Sequence, residues 1–304
     1  MLLRAGVAVA ERAPGAPLYA LGRAIAPLLA ATPSGARNRL RRNLARASGE
    51  SLGSRRLDSL VREAYVTQVA NYLDLLRYRR ISVEEIARTY VATGPGWEPF
   101  LAAGRAGKGA VLVTAHFGRI ERLNHFLAQF QLPTTLPVER LQPERLFELV
   151  CSLRAHRGVN LVPHDAGLRP CLRALSRGHV VALFAEWDPT GRGVPVSLFG
   201  AEAHLPPGPA FLALRSGAPL FVGLDLPGDE PGHHQGYLEP PIEIPRSGDL
   251  ERDVGRVTQA IAALFERHLA RDPGRWVMFH DIFRTDVSQS APLTGREALP
   301  HSDR

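Results

Sequence analysis

The spacing of hydrophobic and polar positions changes near residue 110 and divides the chain into two parts. Residues 56–79 carry apolar side chains largely at intervals of three and four, which predicts an amphipathic helix that packs against the rest of the protein. From residue 110 onward, short apolar runs alternate with helical patterns. This alternation predicts an α/β fold with a largely parallel central sheet that is covered by helices on both faces.

The second part of the chain contains enough segments for a complete sheet. Strands are predicted at residues 110–114, 134–138, 160–162, 180–185 and 220–224, with a further strand near Ile242. Helices are predicted at residues 121–131, 143–156, 167–176, 208–216 and 249–271. We expect one domain over residues 1–304, with a helical part at 1–80, an α/β core at 105–285 and a disordered tail at 286–304.

Three polar residues come after predicted strands at the point where each strand ends, namely His116, Glu139 and Glu186. Ligands of parallel sheets gather at the carboxyl ends of the strands, so these side chains are expected to line one site. An acid that ends a buried strand is costly unless it is paired. We expect Glu186 to bond His116; the alternative is an ion pair with one of the many arginines.

His116 opens the segment His-Phe-Gly-Arg-Ile-Glu, which comes after a β-branched apolar run. A histidine at the end of a buried strand can accept a proton near neutral pH if a carboxylate holds its ring. Five helical steps separate His116 from Glu121, so His116 is expected in the turn and Glu121 inside the next helix, with its carboxylate reaching back to the ring. The alternative is an ordinary loop histidine.

The net charge of +7 comes with a cluster of arginines in the N-terminal part. Five arginines fall within ten positions, close after the apolar stretch at residues 18–31: Arg37, Arg39, Arg41, Arg42 and Arg46. An apolar face flanked by arginines predicts a helix that lies on an anionic bilayer. The alternatives are a general arginine bias of the genome and a nucleic-acid patch, but RNP and zinc-finger signatures are absent, so no nucleic-acid partner is expected.

Membrane contact is expected to be peripheral, at the cytoplasmic face of the inner membrane. Gly22, Arg23 and Pro27 interrupt the best candidate for a spanning helix, and no secretory signal is recognisable. The two cysteines, Cys151 and Cys171, are too few for a disulfide framework and have no CxxC spacing. This composition is typical of a protein in a reducing compartment.

The motifs of several other enzyme classes are incomplete or absent in this sequence. Residues 104–109 resemble a phosphate loop, but no Ser or Thr comes after Lys108 and the segment precedes its strand. A GxSxG elbow is absent, and the spacing around His116 fits no familiar zinc motif. The pair His233 and His234 lies in a Gly/Pro/Asp-rich segment and is expected to be exposed. We therefore expect neither a metal nor a cofactor.

Four ordered blocks carry a family resemblance that covers about residues 37–285. The HxxxxE spacing at residues 116–121 resembles the signature of glycerolipid-type acyltransferases. Together with RRNL at 41–44, ERLQP at 139–143 and the segment 186–222, it resembles the bacterial lipid A biosynthesis acyltransferase family. Within the last block, the segments GVPVSLFG and GPAFLALRSGAPL are most similar to the phosphatidylinositol mannoside acyltransferase branch of this family.

The resemblance implies a glycerolipid acyltransferase-like fold and an O-acyltransferase activity. The donor would be a long-chain acyl-CoA, used as a co-substrate, and the acceptor a sugar hydroxyl of a membrane glycolipid such as a phosphatidylinositol mannoside. His116 would act as general base in a direct transfer, while Glu186 and Glu121 hold its ring.

Four further residues are expected to bind substrate. Glu139 would contact the acceptor, the alternative being a structural role. The guanidinium groups of Arg154 and Arg192 suit the phosphate oxygens of acyl-CoA or of the acceptor lipid; for Arg192 the alternative is a solvated surface arginine. Gly208 begins a predicted helix whose free N–H groups would favour an anion.

The sequence departs from the family pattern at Arg119 and Ile120, where relatives commonly carry Asn and Trp, and at Trp187, where an arginine is frequent. These departures indicate either an acceptor that differs from the usual lipid or a diverged paralogue. Two other functions stay open: an acyl-CoA hydrolase, in which the same base activates water, and a peripheral lipid-binding protein without turnover.

Overall fold

The computed structural model describes residues 2–155 and 159–283 of the chain. Five helices precede most of the sheet: α1 (Leu2–Arg12), α2 (Gly15–Ala31), α3 (Gly35–Ser48), α4 (Arg55–Leu76) and α5 (Val83–Thr89). The helix predicted at residues 56–79 corresponds to α4, which begins where the Ser54 side chain accepts a hydrogen bond from the Leu57 N–H. The tail expected at 286–304 lies outside the described residues.

The remaining elements form the α/β core. The strands are β1 (Tyr90–Thr93), β2 (Ala110–Thr114), β3 (Thr134–Val138), β4 (Asn160–Pro163), β5 (Val180–Phe184), β6 (Val194–Leu198), β7 (Ala201–Leu205), β8 (Leu220–Pro227) and β9 (His234–Leu238). The helices are α6 (Trp97–Arg105), α7 (Ile120–Ala128), α8 (Glu144–Arg154), α9 (Arg169–Ser176), α10 (Gly208–Ser216) and α11 (Leu250–Leu269).

Seven strands form one sheet in the order β1-β9-β8-β2-β5-β3-β4, and β6 and β7 form a separate antiparallel pair. Among the described strands of the large sheet, only β8 and β9 run antiparallel to each other. The expectation of an α/β fold with a largely parallel central sheet is therefore confirmed.

The central strand β2 contributes to two cores, one on each face of the sheet. Val111 and Val113 point into the larger core, which α3, α4, α10 and α11 complete, whereas Ala110 and Leu112 point into the second core with Phe126 of α7. Every second side chain of a strand faces the same side, so a strand covered on both faces reads as one continuous apolar run. This burial fixes the carboxyl end of β2, where His116 begins the next turn.

Two expectations about the end of the sheet were wrong. The strand predicted near Ile242 does not form in the described chain; Ile242 donates a single backbone hydrogen bond to Leu220, and the preceding Pro240 and Pro241 have no N–H to continue a ladder. The strand that pairs with β8 is β9 instead. His234, expected to be exposed, is the first residue of β9 and is buried.

The arginine cluster of α3 makes contacts within the protein. Its partners are the Ala30 carbonyl for Arg37, the Phe279 carbonyl for Arg39, Asp58 for Arg41, Asp281 for Arg42 and the Phe283 ring for Arg46. Asn43, in the RRNL block, is buried and donates to the carbonyls of Met278 and His280. The cluster therefore fastens the segment 276–283 to α3. No helix of the described residues is long and apolar enough to span a bilayer.

Candidate active site

The pairing of β2 with β5 brings His116 and Glu186 together. Thr114 lies opposite Phe184 in the parallel register, and the next two residues of each strand reach the same edge of the sheet. The Nδ1 atom of His116 lies 2.6 Å from Oε1 of Glu186, and the backbone N–H of His116 donates to the same oxygen at 2.5 Å. The hydrogen bond expected between these two residues is present.

The two side chains differ in their access to solvent. The Glu186 side chain is 1% exposed and the His116 side chain is 37% exposed. The imidazole stacks on Phe184, with ring centroids 4.1 Å apart. Because Nδ1 faces Glu186, Nε2 is the ring nitrogen that remains for a reacting group. Within the described part of the chain, Oε2 of Glu186 is buried without a hydrogen-bond partner.

The turn that carries His116 is held through its backbone. The His116 carbonyl accepts from the Val277 N–H at 2.8 Å, and the Gly118 N–H donates to the Arg275 carbonyl at 3.0 Å. The buried amide of Asn71 donates to the Gly118 carbonyl at 2.9 Å. Polar groups of a turn that are bonded on several sides leave little freedom for the side chain they present, which suits a catalytic position.

A second buried acid, Asp225 of β8, lies beneath this turn. Its oxygens accept from the Arg119 N–H at 2.6 Å, Nη2 of Arg275 at 2.5 Å, the Tyr90 hydroxyl at 2.5 Å and Nδ1 of His234 at 3.1 Å. Burial by itself raises the pKa of Asp225, but the bond from His234 and the charge of Arg275 outweigh it and hold the pKa below its usual range.

Gly118 is required where the turn passes over Asp225. Its φ of +71° lies in the left-handed region, and a Cβ atom at this position would lie 2.1 Å from Oδ2 of Asp225. The closeness of backbone and carboxylate allows the Arg119 N–H to reach the acid. Sequence patterns did not point to Asp225, because its strand was recognised only as far as residue 224.

Glu121 does not hold the His116 ring in the described structure. It lies in the first turn of α7, where both of its oxygens accept from the guanidinium of Arg154 on α8. Burial lowers the pKa of Arg154, but the charge and hydrogen bonds of Glu121 outweigh it and raise the pKa, so the guanidinium stays charged. Glu121, predicted to orient the His116 ring, and Arg154, predicted to bind phosphate, thus bond each other.

The segment fastened by α3 adds a residue that sequence reasoning missed. His280 stacks on Trp187, with centroids 3.8 Å apart. Burial lowers the pKa of His280, while the charges of Glu139 and Glu186 act in the opposite direction. Glu139, exposed at the end of β3, thus lies within electrostatic range of the His116 site. The only sequence signal for His280 was its position after an apolar run.

Arg192 and Gly208 lie in the segments after β5. Arg192 is exposed in a loop organised by Asp188, which accepts from the hydroxyl and N–H of Thr190 and from the Gly193 N–H. Burial raises the pKa of Asp188, but these hydrogen bonds outweigh it and lower the pKa. Gly208 begins α10 as predicted. The described contacts do not join either residue to His116.

The structure explains the two departures in the His116 segment. Arg119 turns its guanidinium to Asp74, a fully buried residue of α4, and donates to both carboxylate oxygens at 2.7 Å. Ile120 lines an apolar cavity of about 30 Å³ together with Thr114 and with Phe184, the ring on which His116 stacks. Arg119 therefore serves packing of the N-terminal helices, whereas Ile120 shapes an apolar space next to the candidate base.

Comparison with known proteins identifies the family of the chain. The family model described as bacterial lipid A biosynthesis acyltransferase matches residues 2–285. A phosphatidylinositol mannoside acyltransferase of Mycobacterium tuberculosis is 32% identical over 262 residues, which cover 84% of this chain and 80% of that protein. A protein with the same name from Mycolicibacterium smegmatis is 34% identical over 188 residues, 60% of this chain and 59% of that protein. The chain belongs to the bacterial lipid A biosynthesis acyltransferase family.

Proposed function

We propose that the protein transfers a long-chain fatty acyl group from acyl-CoA to a sugar hydroxyl of a membrane glycolipid, and that the glycolipid is a phosphatidylinositol mannoside. The observation that carries this proposal is the hydrogen bond between the partly exposed ring of His116 and the buried carboxylate of Glu186. The names of the two mycobacterial relatives, both phosphatidylinositol mannoside acyltransferases, support the choice of acceptor.

In the proposed mechanism, Nε2 of His116 removes the proton of the acceptor hydroxyl while the hydroxyl oxygen attacks the thioester carbonyl. The new C–O ester bond forms, the C–S bond breaks, and the proton passes from the imidazolium to the departing thiolate of CoA. Glu186 accepts from Nδ1 and stabilises the imidazolium. General-base assistance of this kind contributes on the order of 10²–10⁴ in rate, and positioning contributes further.

The incomplete bonding of Glu186 supports a catalytic role. A buried carboxylate oxygen without a partner is costly, and such cost is characteristic of sites selected for chemistry over stability. The apolar cavity lined by Phe184, which stacks on His116, is the proposed path of the acyl chain. A volume of about 30 Å³ holds about one water molecule, so the lining side chains must move apart when the chain enters.

The polar groups around the edge are proposed to bind the rest of the substrates. Glu139 is exposed and free to accept from the acceptor sugar, and Arg192 is exposed and suits the phosphates of CoA. The N–H groups at the start of α10, from Gly208, provide a further anion contact. Arg154 and Glu121, which bond each other, join α8 to α7 and so position α7.

We further propose that the protein works on the cytoplasmic face of the inner membrane as a peripheral protein. The support comes from α2, which exposes Leu21, Ile25, Leu28 and Leu29 to solvent. A helix that presents such a face to water is suited to the boundary between headgroups and acyl chains. The arginines of α3 contribute less than the sequence suggested, because they have partners within the protein.

The test incubates labelled palmitoyl-CoA with the protein, with and without phosphatidylinositol mannoside. We expect label in the glycolipid, and we expect His116→Ala to abolish its transfer while circular dichroism and the unfolding midpoint stay close to those of the unchanged protein. The exposed variant Glu148→Gln serves as control. Label in free fatty acid would identify a hydrolase, label that stays on CoA would identify a binding protein, and normal transfer by the His116 variant would refute the mechanism.

A further inference from the structure

The two faces of the sheet offer different surroundings at the edge where His116 lies. On the face covered by α7, the imidazole stacks on Phe184, which lines the apolar cavity together with Leu112 and Ala182 of the second core. On the other face, Trp187 packs against the larger core. The cavity is lined mostly by apolar side chains and suits an acyl chain, which leaves the side of Trp187 for the acceptor.

Trp187 and His280 form an aromatic pair on this side. Trp187 comes directly after Glu186, and its ring lies nearly parallel to that of His280, with centroids 3.8 Å apart and an angle of 18° between the planes. Trp187 is half-buried and His280 is exposed, so part of the pair is accessible. Burial lowers the pKa of His280, and nearby charges also act on it, namely those of Glu139, His116 and Glu186. The pair therefore lies within electrostatic range of the candidate base.

The segment that carries His280 is fixed before any substrate binds. The buried amide of Asn43 donates to the carbonyl of Met278 at 2.9 Å and to that of His280 at 2.8 Å. The N–H of Val277, in the same segment, donates to the His116 carbonyl at 2.8 Å. His280 and the turn that carries His116 are thus joined through their backbones, and a group that is already held in place lowers the cost of binding.

The aromatic pair and Glu139 together offer what a sugar ring requires. The lowered pKa keeps the ring of His280 neutral near pH 7, so it carries one donor and one acceptor. The exposed carboxylate of Glu139 accepts. A sugar hydroxyl both donates and accepts, and the C–H groups on one face of a pyranose ring form an apolar surface that an aromatic ring can cover.

The distance from the reacting atoms favours a sugar at this position over the nucleotide of acyl-CoA. The attacking hydroxyl is attached to the sugar ring directly or through one carbon atom, so the ring must lie within a few ångströms of Nε2 of His116 when the proton is removed. The adenine of CoA is separated from the thioester by the whole pantetheine arm. An aromatic group one residue beyond Glu186 is therefore placed for the acceptor.

We infer that Trp187 and His280 form the subsite for the acceptor sugar, with the aromatic pair lying against the apolar face of the ring and Glu139 accepting from its hydroxyls. The inference rests on the proposed function and extends it, because it names the residues that select a sugar over water as the acceptor. Selection follows because a bound sugar ring displaces water from Nε2 of His116 and holds one hydroxyl there.

The first test measures sugar binding without acyl-CoA, so its result does not depend on turnover. The probe is methyl α-mannopyranoside, added to the full chain and observed by saturation-transfer-difference NMR. We expect saturation of the C–H protons of the sugar by the unchanged protein, its loss in Trp187→Leu and His280→Ala, and its recovery in Trp187→Phe, which keeps an aromatic ring. The matched control is Tyr72→Leu, which removes a ring that is 58% exposed on α4 and should leave the saturation unchanged.

The second test compares the two substrates in the transfer assay. Loss of the aromatic contact is expected to raise KM for the glycolipid by roughly tenfold in Trp187→Leu and in His280→Ala, and to leave KM for palmitoyl-CoA unchanged. Because Trp187 is half-buried, circular dichroism and the exposed His280 variant separate the loss of contact from a loss of folding.

The outcomes distinguish the subsite from the proposed function. Saturation that is absent from the unchanged protein, or equal in all variants, would overturn the subsite. A rise in KM for palmitoyl-CoA instead of the glycolipid would also overturn it, because the pair would then bind the donor. Sugar binding that depends on Trp187 and His280 in a protein without acyl transfer would uphold the subsite and refute the proposed function alone. Transfer with an unchanged KM for the glycolipid in both variants would refute the subsite alone.

Discussion

Two buried acids, Glu186 and Asp225, flank the turn that carries His116, and they differ in the number of residues that donate hydrogen bonds to them. Continuing the register of β2 beyond its last paired residues places His116 level with Glu186 on one neighbouring strand and with Asp225 on the other. Their exposed fractions are 1% and 0%. Asp225 receives hydrogen bonds from four residues, whereas among the described contacts only His116 donates to Glu186, whose second oxygen has no described partner.

The difference indicates a division of labour at one edge of the sheet. Asp225 is saturated by donors from β1, β9 and the segment around Arg275, so it joins structural elements and holds the backbone of the turn. Glu186 is left with unused hydrogen-bonding capacity and faces the only residue of the turn that can exchange a proton near neutral pH. The first acid therefore holds the backbone of the turn that carries His116, and in the proposed mechanism the second stabilises the imidazolium.

The largest expected effect is on activity, from Glu186→Gln. An amide cannot stabilise the imidazolium and favours a different arrangement of ring protons, so acyl transfer is expected to fall by roughly 10²–10⁴. The measurement is kcat and KM for acyl-CoA, together with the urea midpoint. We expect kcat to fall with little change in KM or stability, and Glu148→Gln to behave like the unchanged protein. An unchanged kcat in Glu186→Gln would show that Glu186 has no part in the reaction.

Asp225→Asn is expected to act mainly on stability. The change leaves the Arg275 guanidinium without its carboxylate in a mostly buried place, and breaking such a pair costs about 3–5 kcal/mol. The measurement is the free energy of unfolding by urea, compared with Glu230→Gln in the exposed loop between β8 and β9. Loss of stability below about 1 kcal/mol would contradict the structural role given to Asp225.

A smaller effect arises from the pKa of Asp225, which is held below its usual range. The stabilisation from this depressed pKa is complete above the unfolded value of about 3.9 and is lost as the pH falls through the lower folded value. The difference in unfolding free energy between the unchanged protein and Asp225→Asn should stay constant from about pH 7 to about 4.5 and shrink below that. A difference that is independent of pH down to about 2 would disagree with this origin.

The smallest effect is expected at Arg192, which no described contact joins to Glu186 or Asp225. Because the side chain is exposed, Arg192→Gln should change the unfolding free energy by no more than about 0.5 kcal/mol. If the guanidinium binds CoA phosphates, KM for acyl-CoA should rise, by less than about tenfold, while kcat stays the same. A change in kcat instead would place Arg192 closer to the reacting atoms.

Much of the sheet was predictable because buried parallel strands have a strong sequence signal. The bounds of β2 and β3 agree with those expected, and the helix at Gly208 begins where predicted. Weak signals produced the errors: β1 is only four residues long, and β9 begins in a segment of glycine, aspartate and histidine that reads as a loop. The segment near Ile242 has apolar residues typical of a strand, but Pro240 and Pro241 have no N–H to continue a ladder.

The pairing of charges was much less predictable than the backbone. Glu121 and Arg154 were both recognised as candidate site residues, but their bond to each other depends on the way α8 packs beside α7. The arginines of α3 looked like a membrane contact, because the partners near Phe279 and Asp281 are remote from them along the chain. A sequence pattern reports the charge of a segment, while its partner is set by folding.

The sequence by itself determined that a histidine and an acid would come directly after two strands of the sheet, at one edge. Hydrophobic periodicity locates the strands, and the carboxyl edge of a parallel sheet collects the residues that come directly after them. Only the tertiary structure decided that Glu186 bonds His116, that Asp225 supports the turn and that Arg119 turns to Asp74. Each of these contacts requires segments that are remote in the chain to approach within a few ångströms. Because a buried charge without a partner costs free energy, the folded structure pairs these groups.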